Sequence, residues 1–353
     1  PPSVPWRSFV CVCRVQSSAG RDCVPMVSTL RAPVSLLLVL VLVGVSVGAT
    51  TAAAHRGGVN NRPIVGVLAQ PSSPSLQKYG GQYLAASYVK FLEGGGARVV
   101  PIRYDLSEAE LRALLDSING VLFPGGGSEL EGPFWQTAQR IWNYVLEANQ
   151  KGDYFPLWGT CMGFEMVLSL GAKSNTTVLT RFDSENYTIP LDLTPAAPSS
   201  TFFRSFPSNI LDILTFKPVT MNNHMLGVSP STFNANPYLP KLFDVLSTNK
   251  DRNNLVFIST VEAKGGLPIF ATQWHPEKPQ YEWDKAEVIQ HTAEAVMSMQ
   301  YVAQFIVDQA RQNSHSFASP EAESKALIYN YSPIYTESFN SSFEQCYIFP
   351  VSQ

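Results

Sequence analysis

A lone cysteine between two glycines is the first feature of the sequence that could do chemistry. Residues 159–163 read Gly-Thr-Cys-Met-Gly, with an apolar extended stretch before them and a helical pattern after them. Glycines so placed permit the strained strand-to-helix turn that exposes a nucleophile above a sheet, and the helix N-terminus favours a thiolate. A lone cysteine is more often a packed core residue, but the paired glycines favour Cys161 as a catalytic nucleophile.

A general base for this cysteine is predicted at His275. Beyond residue 55, histidines stand at positions 224, 275, 291 and 315, and His275 lies in the string Gln-Trp-His-Pro-Glu, where Pro276 stops an apolar strand pattern. Glu277 could accept a hydrogen bond from the imidazole and hold its tautomer. Because active sites of parallel sheets gather beyond the carboxyl ends of strands, Cys161 and His275 can meet. Alone, His275 would be interpreted as a surface histidine in a turn.

Backbone donors for an oxyanion are predicted in a glycine run after a third strand pattern. The string Phe-Pro-Gly-Gly-Gly-Ser covers residues 123–128. Glycines present successive N–H groups without side-chain obstruction, so Gly125, Gly126 and Gly127 are candidates. The N–H of Met162, directly after the nucleophile, is the second donor. A triple glycine by itself is typical of a turn.

The elements that must position these residues alternate between strand and helix patterns. Several strand patterns are apolar on both faces, as in a parallel sheet covered by helices. We predict a doubly wound α/β domain with a mostly parallel sheet and helices on both faces. Ser107 and Glu110 form a capping box at the start of one helix. The strands are predicted at 63–69, 97–102, 120–125, 154–160, 254–262 and 267–274, and the helices at 81–94, 107–117, 133–150, 163–171 and 283–312.

The domain is predicted to run from residue 62 to 312, with a C-terminal extension at 313–353 packed on it. Residues 175–253 interrupt the alternation with many Pro, Asn, Ser and Thr. We interpret them as a large insertion on the rim of the sheet, where loops carry function.

The N-terminal part of the chain resembles a secretory signal. Residues 34–48 form an uncharged apolar run preceded by Arg31 and followed by small residues, and Met26 lies just ahead of it. We predict a signal peptide at 26–54 and a non-native or translated upstream leader at 1–25. The run is shorter than the roughly 20 residues of a membrane span, so no stable membrane anchor is expected, although an uncleaved anchor is the alternative.

Composition limits the class of protein further. The formal net charge of −3 becomes −6 without residues 1–54, which hold four arginines and one aspartate, and this balance does not favour nucleic acid as a partner. Only Cys161 and Cys346 lie beyond residue 54, so neither a disulfide framework nor a metal site is expected. Glycosylation sequons fit a secretory glycoprotein and occur at Asn175, Asn186, Asn330 and Asn340.

Together the motifs resemble the class I glutamine amidotransferase superfamily, and within it the γ-glutamyl hydrolase family. The resemblance runs from residue 62 to 349 and includes "RPIVGVLAQ", "GDYFPLWGTCMGFE", "QWHPEKPQYEW" and "SSFEQCYIF". It assigns the nucleophile to Cys161, the base to His275 and the supporting acid to Glu277. One departure is "LFPGGGSEL", which carries one glycine more than the family's usual pair.

The resemblance also implies three substrate-binding residues, Tyr88, Glu165 and His224. The residues alone favour plainer interpretations of each. Tyr88 would pack a helix on the sheet, Glu165 would be an acid in a first helical turn, and His224 would be a loop histidine bonded to backbone.

The resemblance implies a cysteine hydrolase that cleaves folyl poly-γ-glutamates through a γ-glutamyl thioester, without a metal or organic cofactor. It further suggests a homodimer, and the signal indicates a lysosomal, vacuolar or extracellular location. Two alternatives stay open. One is a glutaminase subunit that feeds ammonia to a synthetase, and the other is a non-catalytic folate-binding glycoprotein whose nucleophile is masked by a Cys161–Cys346 disulfide.

Overall fold

An eight-stranded sheet forms the centre of the computed structural model, which describes residues 59–174, 178–339 and 341–351. All described residues belong to one compact unit. The predicted leader and signal peptide, and the sequon residues Asn175 and Asn340, lie outside the described residues. Among the described residues, no helix is both long and apolar enough to cross a membrane.

The strands of the described residues, in chain order, are β1 (Ile64–Leu68), β2 (Gln70–Pro71), β3 (Gln82–Ala85), β4 (Arg98–Ile102), β5 (Val121–Phe123), β6 (Leu157–Thr160), β7 (Thr180–Ile189), β8 (Asp192–Leu193), β9 (Thr220–Gly227), β10 (Phe243–Lys250), β11 (Val256–Ala263), β12 (Ile269–Thr272), β13 (Ile334–Tyr335) and β14 (Gln345–Phe349). The helices are α1 (Ala86–Gly94), α2 (Glu108–Leu115), α3 (Gly132–Gln150), α4 (Met162–Gly171), α5 (Thr201–Arg204), α6 (Ser208–Phe216), α7 (Pro230–Ala235), α8 (Leu239–Leu242), α9 (Lys278–Tyr281), α10 (Ala293–Ala310) and α11 (Pro320–Ala326).

The central sheet has the order β4-β1-β5-β6-β12-β11-β10-β8. The first five strands are parallel, and β11, β10 and β8 extend the sheet antiparallel. Every residue of β1 is buried, and its side chains alternate between two apolar cores. Helices α1 and α10 contribute to one core and α3 and α4 to the other. The doubly wound, mostly parallel fold is therefore confirmed.

All six predicted strands are present, and the capping box at Ser107 and Glu110 is formed in full. The predicted helix at 81–94 was wrong in its first residues, because Gln82–Ala85 is the strand β3. It pairs with β14, at the far end of the chain, in a four-stranded sheet of order β13-β14-β3-β2. Local pattern could not show that partner.

Three other predictions need correction. The helix predicted at 283–312 begins at Ala293, where the Thr292 side chain accepts from the Ala295 N–H; the preceding residues form a loop. The segment 175–253 is more than a rim insertion, since β8 and β10 lengthen the central sheet and β7 pairs with β9. Strand β11 was predicted among the strands of a parallel sheet, but both its neighbours are antiparallel.

Candidate active site

Cys161 lies in a strained turn between β6 and α4. Its φ of 53° and ψ of −111° are unusual for a residue with a side chain. Its N–H donates to the Thr272 carbonyl at 2.8 Å, which ties the turn to the neighbouring strand β12. The described geometry is the strand-turn-helix elbow that the sequence predicts.

The two glycines around Cys161 are required by close backbone approaches. A methyl group at Gly163 would lie 2.0 Å from the Phe123 carbonyl oxygen, and one at Gly159 would lie 2.5 Å from the Gly163 carbonyl oxygen. Any side chain at either position would push α4 away from β5 and β6. The glycines therefore seat the helix N-terminus directly behind the cysteine.

His275 and Glu277 follow the end of β12, the strand next to β6 in the sheet. The His275 Nδ1 atom lies 2.6 Å from Oε1 of Glu277, and both side chains are buried. Burial alone would lower the pKa of His275, but its interactions with Glu277 and with Cys161 more than offset burial and raise that pKa to about 10. Burial likewise opposes ionisation of Glu277, yet the imidazolium holds its pKa below the usual value.

The nucleophile and the base converge on Gly125. A methyl group built there would lie 2.5 Å from the Tyr88 hydroxyl, 2.8 Å from Cε1 of His275 and 3.1 Å from Cβ of Cys161. The Nε2 atom of His275 is buried and makes no hydrogen bond with any of the described residues. That nitrogen is therefore available to the thiol or to a substrate.

The contacts of the glycine run distinguish Gly125 from the other two oxyanion candidates. The Gly125 N–H donates to the Tyr88 hydroxyl at 2.8 Å, so it is already engaged. Gly126 and Gly127 line the cleft beside Cys161. The Gln70 side chain holds the run in place, because its Nε2 atom donates to the Gly125 carbonyl at 2.8 Å.

Tyr88 lies beneath the glycine run, and its side chain is fully buried. Its hydroxyl also lies 3.5 Å from Nδ1 of His275. Burial, reinforced by Glu277, raises the pKa of Tyr88 well above its usual value, so the hydroxyl stays protonated. The structure thus places Tyr88 against Gly125 and His275 and not on the wall of the cleft.

Glu165 and His224 are also buried behind the cleft wall. The Glu165 Oε1 atom accepts from Nε2 of Gln273 at 3.2 Å, and burial raises the pKa of Glu165 to about 8. The His224 Nδ1 atom lies 2.8 Å from the Leu226 carbonyl, and burial lowers the pKa of His224 to about 3. Both side chains are therefore uncharged at neutral pH, and neither lines the cleft.

The cleft in front of Cys161 has a volume of about 300 Å³. Part of its wall comes from residues that the sequence reasoning did not single out, including the Asn223 carbonyl, which lies 3.8 Å from the sulfur. Lys278 directly follows the His-Pro-Glu string, and this position is the one sequence feature that could have indicated that Lys278 lies near the site. The cleft is lined by Ser73, Leu76, Tyr83, Gly126, Gly127, Cys161, Glu185, Asn223, His275, Lys278, Ser341, Ser342 and Phe343.

The remaining sequence candidates lie away from the cleft. Cys346 is buried on β14 and, like Cys161, is not in a disulfide, so the structure does not contain the masking bond of the non-catalytic alternative. The Nδ2 atom of Asn186 donates to the Ala286 carbonyl, and that of Asn330 donates to carbonyls at the end of α11. A glycan replaces one hydrogen of the amide nitrogen, so a glycan at Asn330 would displace one of these contacts, whereas Asn186 could keep its single one. Within the described residues, no His, Cys, Asp and Glu cluster is placed to hold a metal.

Comparison with known proteins agrees with this geometry. The Peptidase C26 family model matches residues 63–277. Gamma-glutamyl hydrolase B of Dictyostelium discoideum is 45% identical over 83% of this chain and 85% of its own length. Gamma-glutamyl hydrolase of Homo sapiens is 42% identical over 91% of this chain and 100% of its own length.

Among solved structures, the glutaminase domain of Trypanosoma brucei CTPS with bound acivicin is 13% identical. It has a TM-score of 0.47 and is covered over 99% of its length by 75% of this chain. The family model covers the sequence from β1 to the His-Pro-Glu turn, and the curated relatives match more than four fifths of the chain. The chain therefore belongs to the peptidase C26 family, and it is a hydrolase.

Proposed function

We propose that this hydrolase cleaves γ-glutamyl amide bonds of folyl poly-γ-glutamates, with Cys161 as its nucleophile. The observation that carries the proposal is the meeting of the Cys161 elbow with the hydrogen-bonded His275–Glu277 pair at the end of two adjacent strands. The curated relatives are named gamma-glutamyl hydrolases, which supports the bond type. The resemblance in the sequence supports the folate substrate.

The first half of the reaction is transfer of the acyl group to sulfur. The Cys161 thiolate adds to the γ-carbonyl carbon, and a C–S bond forms as the carbonyl electrons move to oxygen. Collapse of this intermediate breaks the C–N bond. The departing amine nitrogen takes its proton from Nε2 of His275, and a γ-glutamyl thioester is left on Cys161.

The oxyanion of that intermediate would be held by backbone N–H groups. Met162 begins α4 and follows the nucleophile, so its N–H has no carbonyl partner inside the helix. Because the Tyr88 hydroxyl already accepts from Gly125, we assign the second donor to Gly126, which lines the cleft. Such a donor contributes about 10²- to 10³-fold in rate.

The second half of the reaction releases the acyl group to water. His275, now neutral, removes a proton from a water molecule whose oxygen attacks the thioester carbon. The C–S bond breaks, a γ-carboxylic acid leaves, and the proton returns the pair to thiolate and imidazolium. Glu277 holds the ring in one tautomer through both halves, because it accepts from Nδ1.

The test is hydrolysis of pteroyl-penta-γ-glutamate followed by mass spectrometry, beside Cys161→Ala and with glutamine as a second substrate. We expect shortened folates from the wild-type protein alone, and the lengths of the products also show which bond is cut. Cleavage of glutamine but not of the folate would instead support the glutaminase alternative. Folate products from Cys161→Ala would exclude Cys161 as the nucleophile.

Passage through the secretory pathway is a separate proposal that rests on the signal-like run and the sequons. If it is correct, the protein from a eukaryotic host will lose mass on treatment with an N-glycosidase. The several hydrogen bonds of the Asn330 amide nitrogen indicate that the lost mass will come mainly from other sequons. An unchanged mass would remove the glycosylation part of the proposal.

A further inference from the structure

Lys278 is a buried lysine on the wall of the catalytic cleft. It is the first residue of α9 and follows the His-Pro-Glu turn directly, and its side chain is only 2% exposed. It lines the same cleft as Cys161 and His275. Because desolvation of an ammonium group costs several kcal/mol, a lysine in this position needs a purpose or a partner.

The ammonium group is held by a network that reaches the nucleophile. Its Nζ atom is paired with Oε2 of Glu287. The other oxygen of Glu287 accepts from Nδ2 of Asn223 at 2.7 Å, and the Asn223 carbonyl lies 3.8 Å from the Cys161 sulfur. The cation is therefore fixed relative to the reacting atom, as a recognition group must be.

Two of the three N–H donors of Lys278 are left for another acceptor. Among the described residues, the Nζ atom pairs with Glu287 alone. Within the described part of the chain, Lys278 is also the one lysine or arginine that lines the cleft. The cleft thus presents one fixed ammonium group with unused donors beside its nucleophile.

A γ-glutamyl substrate carries a group that fits this cation, and here the inference rests on the proposed function. A glutamate linked through its γ-carboxyl keeps a free α-carboxylate, a short aliphatic chain away from the scissile carbonyl. A substrate whose α-carboxylate is replaced by a neutral group has no anionic partner for Lys278. We propose that Lys278 binds the α-carboxylate of the residue whose γ-carbonyl is attacked, and that it thereby selects substrates that carry this carboxylate.

A purely structural role for Lys278 predicts a different result. Glu277 and Glu282 are both close enough for the lysine charge to favour their ionised forms. If Lys278 served only to neutralise these carboxylates and Glu287, its removal would slow all substrates equally. Selectivity between substrates with and without the α-carboxylate separates the two roles.

The experiment compares two folate substrates that differ at one group, the α-carboxylate of the attacked residue and its carboxamide. We expect the wild-type kcat/KM to favour the carboxylate by about 10- to 100-fold, the range for hydrogen bonds to charged groups. In Lys278→Met this preference is expected to fall to about 1, because the cation is lost. Lys285→Met is the matched control, since it removes an exposed lysine from the adjoining loop and should keep the wild-type ratio.

A second variant guards against misfolding of Lys278→Met. Lys278→Met with Glu287→Gln removes both charges of the pair, while the glutamine oxygen can still accept from Asn223. A wild-type ratio in whichever of these variants folds would overturn the assignment. Failure of the wild-type protein to cleave either substrate would instead overturn the proposed function, and the assignment of Lys278 with it.

Discussion

The two walls of the cleft are built in different ways. On the sheet side, Cys161 and His275 follow the ends of adjacent parallel strands, and each is placed by a short motif in its own sequence. In the rest of the lining, which we call the second wall, Asn223 comes from β9 and residues 341–343 come from the C-terminal segment. The comparison indicates that short sequence motifs position the catalytic residues, whereas the rest of the cleft lining is assembled from segments that are distant in the sequence.

The two walls should therefore respond differently to substitution. Changes on the sheet side alter groups that touch the reacting atoms, so they should lower kcat. Changes at residues 341–343 of the second wall should alter contacts made equally in the ground state and the transition state, so they should raise KM. A sheet-side variant that changed only KM, or a variant at residues 341–343 that lowered kcat, would contradict this comparison.

The largest effect is expected for Glu277→Gln, which keeps the volume of the side chain but removes its charge. We expect kcat/KM to fall by about 10³- to 10⁴-fold, because an amide can stabilise neither the imidazolium nor its tautomer. Glu277 raises the pKa of His275. Its loss should therefore lower that pKa and move the alkaline limb of the pH–rate profile to lower pH. An alkaline limb that stays in place would show that Glu277 does not set the charge of His275.

The glycine run offers a matched pair with a smaller expected effect. Gly125→Ala places a methyl group against Tyr88, His275 and Cys161, whereas nothing lies within 4 Å of a methyl group at Gly127. We expect Gly125→Ala to lower kcat by at least about 10²-fold through misplacement of the reacting groups. Gly127→Ala should leave kcat close to that of the wild type. Equal losses in steady-state assays of both variants would contradict the assigned geometry.

Glu165 is buried away from the cleft lining, so its substitution should change the free energy of unfolding. Burial raises its pKa from 4.5 to about 8, so the folded state favours the protonated acid. The contribution of Glu165 is therefore most favourable below the unfolded pKa and is lost as the pH rises toward 8. Glu165→Gln should increase the free energy of unfolding at pH 7 by up to about 3 kcal/mol, and by little at pH 4. Denaturant titrations at both pH values check this, and equal changes at the two would contradict the account.

The smallest effect is expected on the second wall, at Phe343. Its ring lines the cleft and lies 6.0 Å from the Tyr83 ring, measured between centroids. Phe343→Ala should raise KM by about 3- to 10-fold through loss of apolar contact and leave kcat unchanged. Phe343→Leu, which keeps most of that contact, is the control. If Phe343→Ala lowered kcat instead, the proposed division between the walls would be wrong.

How far sequence predicts this molecule follows the same division. The elbow at Cys161 and the pairing of His275 with Glu277 depend on glycines, a proline and a carboxylate within a few positions, so local pattern was sufficient. The capping box at Ser107 is equally local. The strand β3 was mistaken for helix because its partner β14 lies more than 250 residues away. Local pattern carries no record of such a partner.

The roles of buried groups were the other gap. Substrate binding by Tyr88, which the resemblance implies, stays a prediction, and the sequence did not show that the Tyr88 hydroxyl accepts from the Gly125 N–H and so leaves Gly126 and Gly127 as the oxyanion candidates. Lys278 directly follows the His-Pro-Glu string, and its position in the sequence does not indicate a role. Its importance depends on burial and on pairing with Glu287, which follows it by nine residues through an irregular loop. Burial of charge is a property of the tertiary structure, and spacing alone does not reveal it.

The central claim is that all substrates with the same acyl group pass through the same thioester on Cys161. The direct test is partition between water and hydroxylamine, measured with two substrates that share a pteroyl-γ-glutamyl group but carry glutamate or p-nitroaniline as the leaving amine. The account predicts one ratio of hydroxamate to acid for both, and no product from Cys161→Ala. Ratios that differ between the leaving groups, or hydrolysis by Cys161→Ala, would contradict it.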